Sequence, residues 1–284
     1  MTQQRIKVLV IEPQSGLCNR IRAIVSARRL AAKYGRKLYI LWNSDLPSKN
    51  LGCAGKITQL FSSDNKFNVI DDFDSFSKGR TIVKYQKTTH GPLVLNLDRD
   101  KEEIVYIRSN LWIYDHKDDT KRFDCFTSGL QSTIPNSRVV SDFSSFVGEN
   151  NIGKGTIGIH IRRTDITSTT AFGIDYNDEE SLKDAYSQYS KYFDYMDLML
   201  KINPDTKFFI AADNQASKII FLKKYPSAIA FNNRGYERTN IMHVQDGMTD
   251  LYILSRCSSV VSCKGSSFGK MASYIGNNKY INID

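Results

Sequence analysis

Two adjacent arginines, Arg162 and Arg163, stand near the end of the segment Thr156-Ile-Gly-Ile-His-Ile-Arg-Arg-Thr-Asp165. Thr156–Ile161 alternates in the manner of a β-strand, so His160, Arg162, Arg163 and Asp165 fall at or just beyond its carboxyl end. Neighbouring guanidinium groups repel unless an anion lies between them or carboxylates flank them. A diphosphate meets that need, because guanidinium pairs with phosphate oxygens in bidentate fashion. The plainer alternative is a structural pair in which Asp165 neutralises one arginine. Strand alternation places Ile157, Ile159 and Ile161 on one face and Gly158, His160 and Arg162 on the other, with Gly158 leaving room beside the two polar side chains.

Three further segments carry residue types suited to a ligand. Gly265-Ser266-Ser267-Phe268 lies between a strand and the next helix, where free backbone amides, two hydroxyls and the helix dipole suit a phosphate. Ala211-Ala212-Asp213-Asn214 again ends a strand, and its carboxylate can accept from a guanine edge or from ribose hydroxyls. Both also read as ordinary helix caps. Gln14-Ser15-Gly16-Leu17-Cys18-Asn19-Arg20 forms a strand–helix turn, but one glycine is too few for the dinucleotide fingerprint. Residues 148–155 approach a P-loop, yet Gly155 stands where serine or threonine is required and the segment precedes a strand instead of following one. His90, His116 and His243 form no spaced set with acidic residues, so no metal site is expected.

The elements that must hold these segments follow from periodicity. Residues 7–13 are an apolar β-run. From Leu17 the period becomes helical, with Leu17, Ile21, Ile24, Val25 and Tyr34 on one side and Arg22, Arg29, Lys33 and Arg36 on the other. Gly35 ends this helix and residues 38–42 return to strand. Weaker strand signals follow at 67–70, 81–85 and 104–108. The polar, glycine-bearing run 143–154 is the expected boundary between a first domain, 1–150, and a second, 151–284. Beyond it the alternation is strict: strand from Thr156, a helix burying Leu182, Tyr186, Tyr189, Phe193, Met196 and Leu200, and strand from Lys207. Helix 215–225, strand 228–231, helix 250–257, strand 259–263, helix 268–276 and strand 280–283 complete it. The fold class expected is α/β, two Rossmann-like domains facing a cleft. Tyr186, Tyr189, Tyr192 and Tyr195 have the spacing of a helix packed on a sheet, not of a nucleic-acid platform.

Composition limits the partners. The 284 residues are 41% hydrophobic and 24% charged, as in globular proteins, and no apolar run reaches the roughly 20 residues of a membrane helix. A net charge of +9 favours an anionic partner. Nucleic acid, an anionic membrane surface touched peripherally and phosphorylated small molecules all qualify, and charge alone does not choose. Much of the excess lies along the early helix and is interleaved with acidic residues elsewhere, so a solvated face is the plainer reading of most of it. Five scattered cysteines without a C-x-x-C pair, and no visible signal peptide, suggest reduced thiols and a cytoplasmic protein.

Taken together the four segments resemble a known superfamily. His160-Ile-Arg162-Arg163-Thr-Asp165 matches the H-x-R-R-x-D pattern of the α1,6-, α1,2- and protein-O-fucosyltransferases and the rhizobial chitooligosaccharide fucosyltransferases. Gly16-Leu-Cys-Asn19-Arg20-Ile-Arg22 looks like that superfamily's first-domain loop. Phe209 to Asp213, Asp250 to Ser255 and Val260 to Phe268 resemble its later motifs, in order. The resemblance implies the glycosyltransferase B fold, GDP-β-L-fucose as donor, a glycan acceptor, no cofactor, and metal-independent transfer with inversion. By the same resemblance Arg162 holds the β-phosphate, Arg163 supports it and His160 contacts the nucleotide. Asp213 reads guanine, and Ser266, Ser267 and Phe268 close around the diphosphate. Asn214, Gly16 and Asn19 complete the expected donor contacts.

One departure affects the mechanism. The α1,6-enzymes continue after the aspartate with a lysine and, shortly after, a glutamate proposed as base. Here Ile166 and Thr170 stand at those places, so the base does not carry over, and Glu12 and Asp165 are the candidates. Two alternatives differ in class: a transferase for another GDP-sugar, separated by a donor screen, and a non-catalytic phosphate- or nucleic-acid-binding protein, whose affinity would fall steeply with salt.

Overall fold

The computed structural model of the chain describes residues 6–43, 53–88, 91–120, 123–162, 189–263 and 266–283. They form two compact units, residues 1–136 with 238–244, and residues 137–237 with 245–284.

The first unit is built on strands β1 (Val8–Pro13), β2 (Lys37–Leu41), β3 (Val69–Ile70) and β4 (Ile82–Lys87), a short β5 (Leu93–Leu95), then β6 (Ile104–Ser109) and β7 (Ile113–Asp115). Five of them make a parallel sheet in the order β3-β2-β1-β6-β4, and β5 pairs with β7. All six residues of β1 are buried, as a central parallel strand covered on both faces requires. Helix α1 (Leu17–Lys33) buries Ile21, Ala23, Ile24, Val25, Ala27, Leu30 and Ala31, and Gly35 follows in the left-handed region at φ 59°. Short helices α2 (Ile57–Leu60), α3 (Phe73–Ser77) and α4 (Asp124–Gln131) complete the unit.

The basic side of α1, read from the sequence as a solvated face, is engaged internally. Arg29 pairs with Asp118 at 2.6 Å and Lys33 with the fully buried Asp115 at 2.7 Å. Arg22 donates to the Asn110 carbonyl, and the buried Arg36 donates to three carbonyls, those of Val8, Asp100 and Glu102. Much of the positive excess therefore joins α1 to neighbouring chain segments.

The second unit holds a parallel sheet of β8 (Thr156–Ile161), β9 (Lys207–Ala212), β10 (Ser259–Ser262) and β11 (Lys279–Asn282), ordered β11-β10-β8-β9. Its helices are α5 (Ser137–Glu149), α6 (Ser190–Ile202), α7 (Gln215–Lys224), α8 (Ile241–Arg256, in this unit from Gln245) and α9 (Ser267–Gly276). Ile157, Ile159 and Ile161 pack with Tyr189, Tyr192, Phe193, Met196, Phe208, Ile210 and Phe221 in one core. Complete burial of each such side chain contributes about 1.5–3 kcal/mol. Tyr189 and Tyr192 are core residues as their spacing suggested, and Tyr186 lies outside the described residues.

Several expectations change. The run 143–154 is no linker: α5 fills most of it, burying Val139 and Phe143, and the division of units falls at Ser137. The polar residues that suggested a boundary are the outer side of an amphipathic helix. The expected strand 228–231 is reduced to one bridge, Ile229 to Phe209, and the helix expected at 250–257 already starts at Ile241. The room expected beside Gly158 is filled by α8. A Cβ there would lie 2.7 Å from Leu254 Cδ2 and 3.2 Å from Cys257 Sγ, so this glycine permits close helix–sheet packing.

Candidate functional site

In the second unit the chain runs outward from β8 to β9 on one side and returns to β10 on the other. The carboxyl end of β8 is thus the topological switch point, where open α/β sheets bind ligands. The strand register sets His160 opposite Ser262 on β10 and Ala211 on β9. His160 Nδ1 lies 3.0 Å from Ser262 Oγ and 3.0 Å from Ser266 Oγ, with both serines fully buried. Ser266 caps α9, accepting the Gly269 N–H at 3.3 Å. Phe268, in the first turn of that helix, stacks on the imidazole with centroids 4.7 Å apart. A Cβ on Gly269 would meet Ser262 Cβ at 2.7 Å, so glycine lets α9 start tight against β10. From behind, the Tyr192 hydroxyl donates to the His160 carbonyl at 3.0 Å and accepts the Cys263 N–H at 3.1 Å, tying the ends of β8 and β10 together.

Burial pulls the His160 imidazole down to about 4, with the Arg162 charge acting the same way and Asp213 opposing. The ring is therefore neutral at physiological pH. Arg162 follows β8 directly and is half-buried, while Ser267 and Phe268 are also half-buried. Arg163 and Asp165 lie outside the described residues.

At the end of β9, the Asp213 N–H donates to the Ile161 carbonyl at 3.3 Å. Asn214 caps α7, accepting the Ser217 N–H at 2.8 Å, and donates to Asp213 Oδ1 at 3.0 Å. Its side chain is thus committed to the cap and to orienting Asp213.

A neighbouring polar cluster was not assigned from the sequence. The buried Lys218 donates to the Phe231 carbonyl at 2.8 Å and to Asn233 Oδ1, and lies 3.9 Å from Asp250 Oδ2. Asn233 donates to the same Asp250 oxygen at 3.0 Å, while Asp250 Oδ1 is buried with no hydrogen-bond partner among the described residues. Burial raises the Asp250 carboxyl to about 6, against the opposing Lys218 charge and Asn233 bond. Arg234 pairs with the buried Asp246 at 3.0 Å. The Tyr236 phenol donates to Gln215 Oε1 at 2.8 Å, and is raised by burial and then by Asp250, Asp213 and Asp246. The available signal was a lysine and an aspartate at positions where their helices turn inward, Lys218 beside Ile220 and Phe221, and Asp250 before Leu251.

In the first unit, the β1–α1 turn sits at that sheet's own switch point, between β1 and β6. Gln14 N–H donates to the Ser109 carbonyl at 3.0 Å, and Ser15 adopts φ 67°. Arg20 Nε donates to the Ser15 carbonyl at 2.8 Å and so fixes the turn. The Arg20 guanidinium is fully buried 4.5 Å from the Trp42 ring centroid, and Nη1 and Nη2 have no hydrogen-bond partner among the described residues. Gly16 and Asn19 are half-buried at the start of α1. Glu12 is buried at the end of β1. Its Oε1 accepts from Gln14 at 2.9 Å and its Oε2 from Tyr106, with Arg108 Nε 3.7 Å away.

No family model matches the chain, and no curated protein matches it in sequence. Solved structures do match. The fucosyltransferase NodZ from Bradyrhizobium aligns with a TM-score of 0.63 at 15% identity, over 94% of this chain and 92% of that one. A mutant of Arabidopsis thaliana FUT1 in complex with GDP aligns at 0.59 and 14% identity, over 99% of this chain and 71% of that one. POFUT1 in complex with GDP-fucose aligns at 0.54 and 10% identity, over 99% of both chains. The chain thus has an α/β fold of parallel sheets that it shares with fucosyltransferase structures.

Proposed function

We propose that the chain is an inverting glycosyltransferase that moves L-fucose from GDP-β-L-fucose to a glycan hydroxyl, giving an α-fucoside without a metal. The observation that carries this reading is the arrangement at the end of β8. A neutral, rigidly seated His160 lies two residues before Arg162 and stacks on the first turn of α9. A guanidinium, a neutral imidazole and helix N-terminal amides in one place suit a diphosphate. NodZ, FUT1 and POFUT1 have each been solved with GDP or GDP-fucose, which accords with that choice of ligand.

Departure of GDP from an oxocarbenium-like carbon builds negative charge on the β-phosphate. In this reading Arg162, supported by Arg163, stabilises that charge, and a preorganised guanidinium does so without reorganisation as the bond breaks. Ser267 and the α9 amides hold the other phosphate oxygens, and Phe268 closes over them. Asp213, oriented by Asn214, accepts from the guanine N–H groups. Asp250 Oδ1, which has no partner among the described residues, is a second acceptor in the same unit. Gly16 and Asn19 keep their assignment to the donor, and Glu12 or Asp165 theirs to deprotonation of the acceptor.

The test is a thermal-shift panel of GDP, UDP and ADP, followed by turnover of GDP-fucose with and without EDTA. A ligand that binds only the native state raises its melting temperature. GDP should give the largest shift, and turnover should survive chelation. Equal shifts would remove the guanine assignment, and loss of turnover restored by manganese or magnesium would contradict the metal-free mechanism. Turnover of another GDP-sugar in preference to GDP-fucose would reassign the donor.

A further inference from the structure

Ser262 and Ser266 are both fully buried, and each hydroxyl lies 3.0 Å from the same atom, His160 Nδ1. Buried hydroxyl hydrogens need acceptors. Among the described residues Nδ1 is the one acceptor that either hydroxyl reaches. Ser266 Oγ accepts the Gly269 N–H with one lone pair, and each hydroxyl still carries one hydrogen to donate. A proton on Nδ1 would leave both serine hydrogens without an acceptor among the described residues. A bare Nδ1 lone pair accepts one of them, or is shared between the two, and places the ring proton on Nε2. The Phe268 stack, with planes 19° apart, keeps the ring from turning out of this arrangement.

We propose that Ser262 and Ser266 act as positioning residues that lock His160 in the neutral Nε2–H tautomer, a fixed N–H donor directed at an anionic oxygen. Its use toward a donor diphosphate rests on the function proposed above, whereas the tautomer itself does not. A neutral donor gives orientation without adding charge beside Arg162, and Nε2 binds as a hydrogen-bond donor, not as a proton-transfer group.

Nitrogen-15 NMR of the histidine ring, assigned by loss of the signal in His160→Gln, reads the tautomer directly. Ligand-free protein at neutral pH should show a pyridine-like Nδ1 and a proton-bearing Nε2. In the Ser262→Ala/Ser266→Ala double variant, checked for folding by a melting curve, the two tautomers should mix. The Kd for GDP should also rise roughly three- to tenfold, the effect of one lost hydrogen bond. Ser262→Thr, which keeps a hydroxyl, should preserve the wild-type pattern. A proton on Nδ1 in the wild type would overturn the proposal, as would a folded double variant with an unchanged Nε2–H tautomer. If the tautomer is as stated but saturating GDP leaves the Nε2 resonance unmoved, the seat stands and the donor reading falls.

Discussion

The rings of His160 and Phe268 lie face to face, 4.7 Å between centroids and 19° between planes. This contact joins the carboxyl end of β8 to the first turn of α9, the two elements assigned to the diphosphate. Aromatic pairs of this kind contribute about 0.5–1.5 kcal/mol beyond their buried area. Phe268→Leu keeps apolar volume but loses the stack. GDP affinity measured by calorimetry should fall by roughly two- to tenfold, with a small change in melting temperature. Unchanged affinity would show that the stack does not order the phosphate seat.

Gly158 tests a different kind of claim, that its lack of a side chain serves packing and not ligand. A Cβ there would lie 2.7 Å from Leu254 Cδ2, closer than real contacts allow. Gly158→Ala should destabilise the protein by about 1–3 kcal/mol through overpacking. Denaturant titration gives this value, and GDP affinity of the folded fraction should be unchanged. A stable variant with weakened GDP binding would return Gly158 to the site.

Asp250 makes a pH-dependent contribution whose sign can be worked out. Its carboxyl is raised to about 6 in the fold, mainly by burial, against about 3.9 in the unfolded chain. Between those values the folded state binds more protons, so this group's contribution to stability falls as pH rises through that window and stays low above it. Asp250→Asn mimics the protonated form. Relative to wild type, the variant should gain stability between acidic and neutral pH, by on the order of 2–3 kcal/mol. Melting curves of both proteins across that range check this, and a parallel pH dependence would contradict it.

How much of this was legible in the sequence differs between the two units. In the second, strand–helix alternation located β8, β9 and β10 closely, because buried parallel strands are short apolar runs bounded by turns. His160, Asp213 and Ser266 could then be placed at strand ends before any coordinates. The Lys218–Asn233–Asp250 cluster was hidden, since a charged residue inside an amphipathic pattern reads as solvent-facing until its partners from distant segments are known. The same blindness misread α1, whose arginines and Lys33 bond to Asp115, Asp118 and backbone carbonyls brought in from up to 89 residues away. In the first unit, β5 and β7 are three residues long, too short for a period to register, whereas β3, β4 and β6 fall within or beside the weak signals at 67–70, 81–85 and 104–108. The helix α5 was missed because its polar outer side and a glycine near its end outweighed Val139 and Phe143.

Arg162 carries the central claim, and its substitution tests it most directly. Arg162→Lys keeps the positive charge but loses the bidentate fork, so it separates charge from geometry. Removal of a preorganised group of this kind typically lowers the rate by about 10²–10³. The measurement is the initial rate of GDP release from GDP-fucose with a fucosylatable acceptor, alongside a melting curve for each variant. Arg162→Lys and Arg162→Ala should both lose at least about a hundredfold in turnover while melting as the wild type does. A folded Arg162→Ala protein with near-normal turnover would contradict the account.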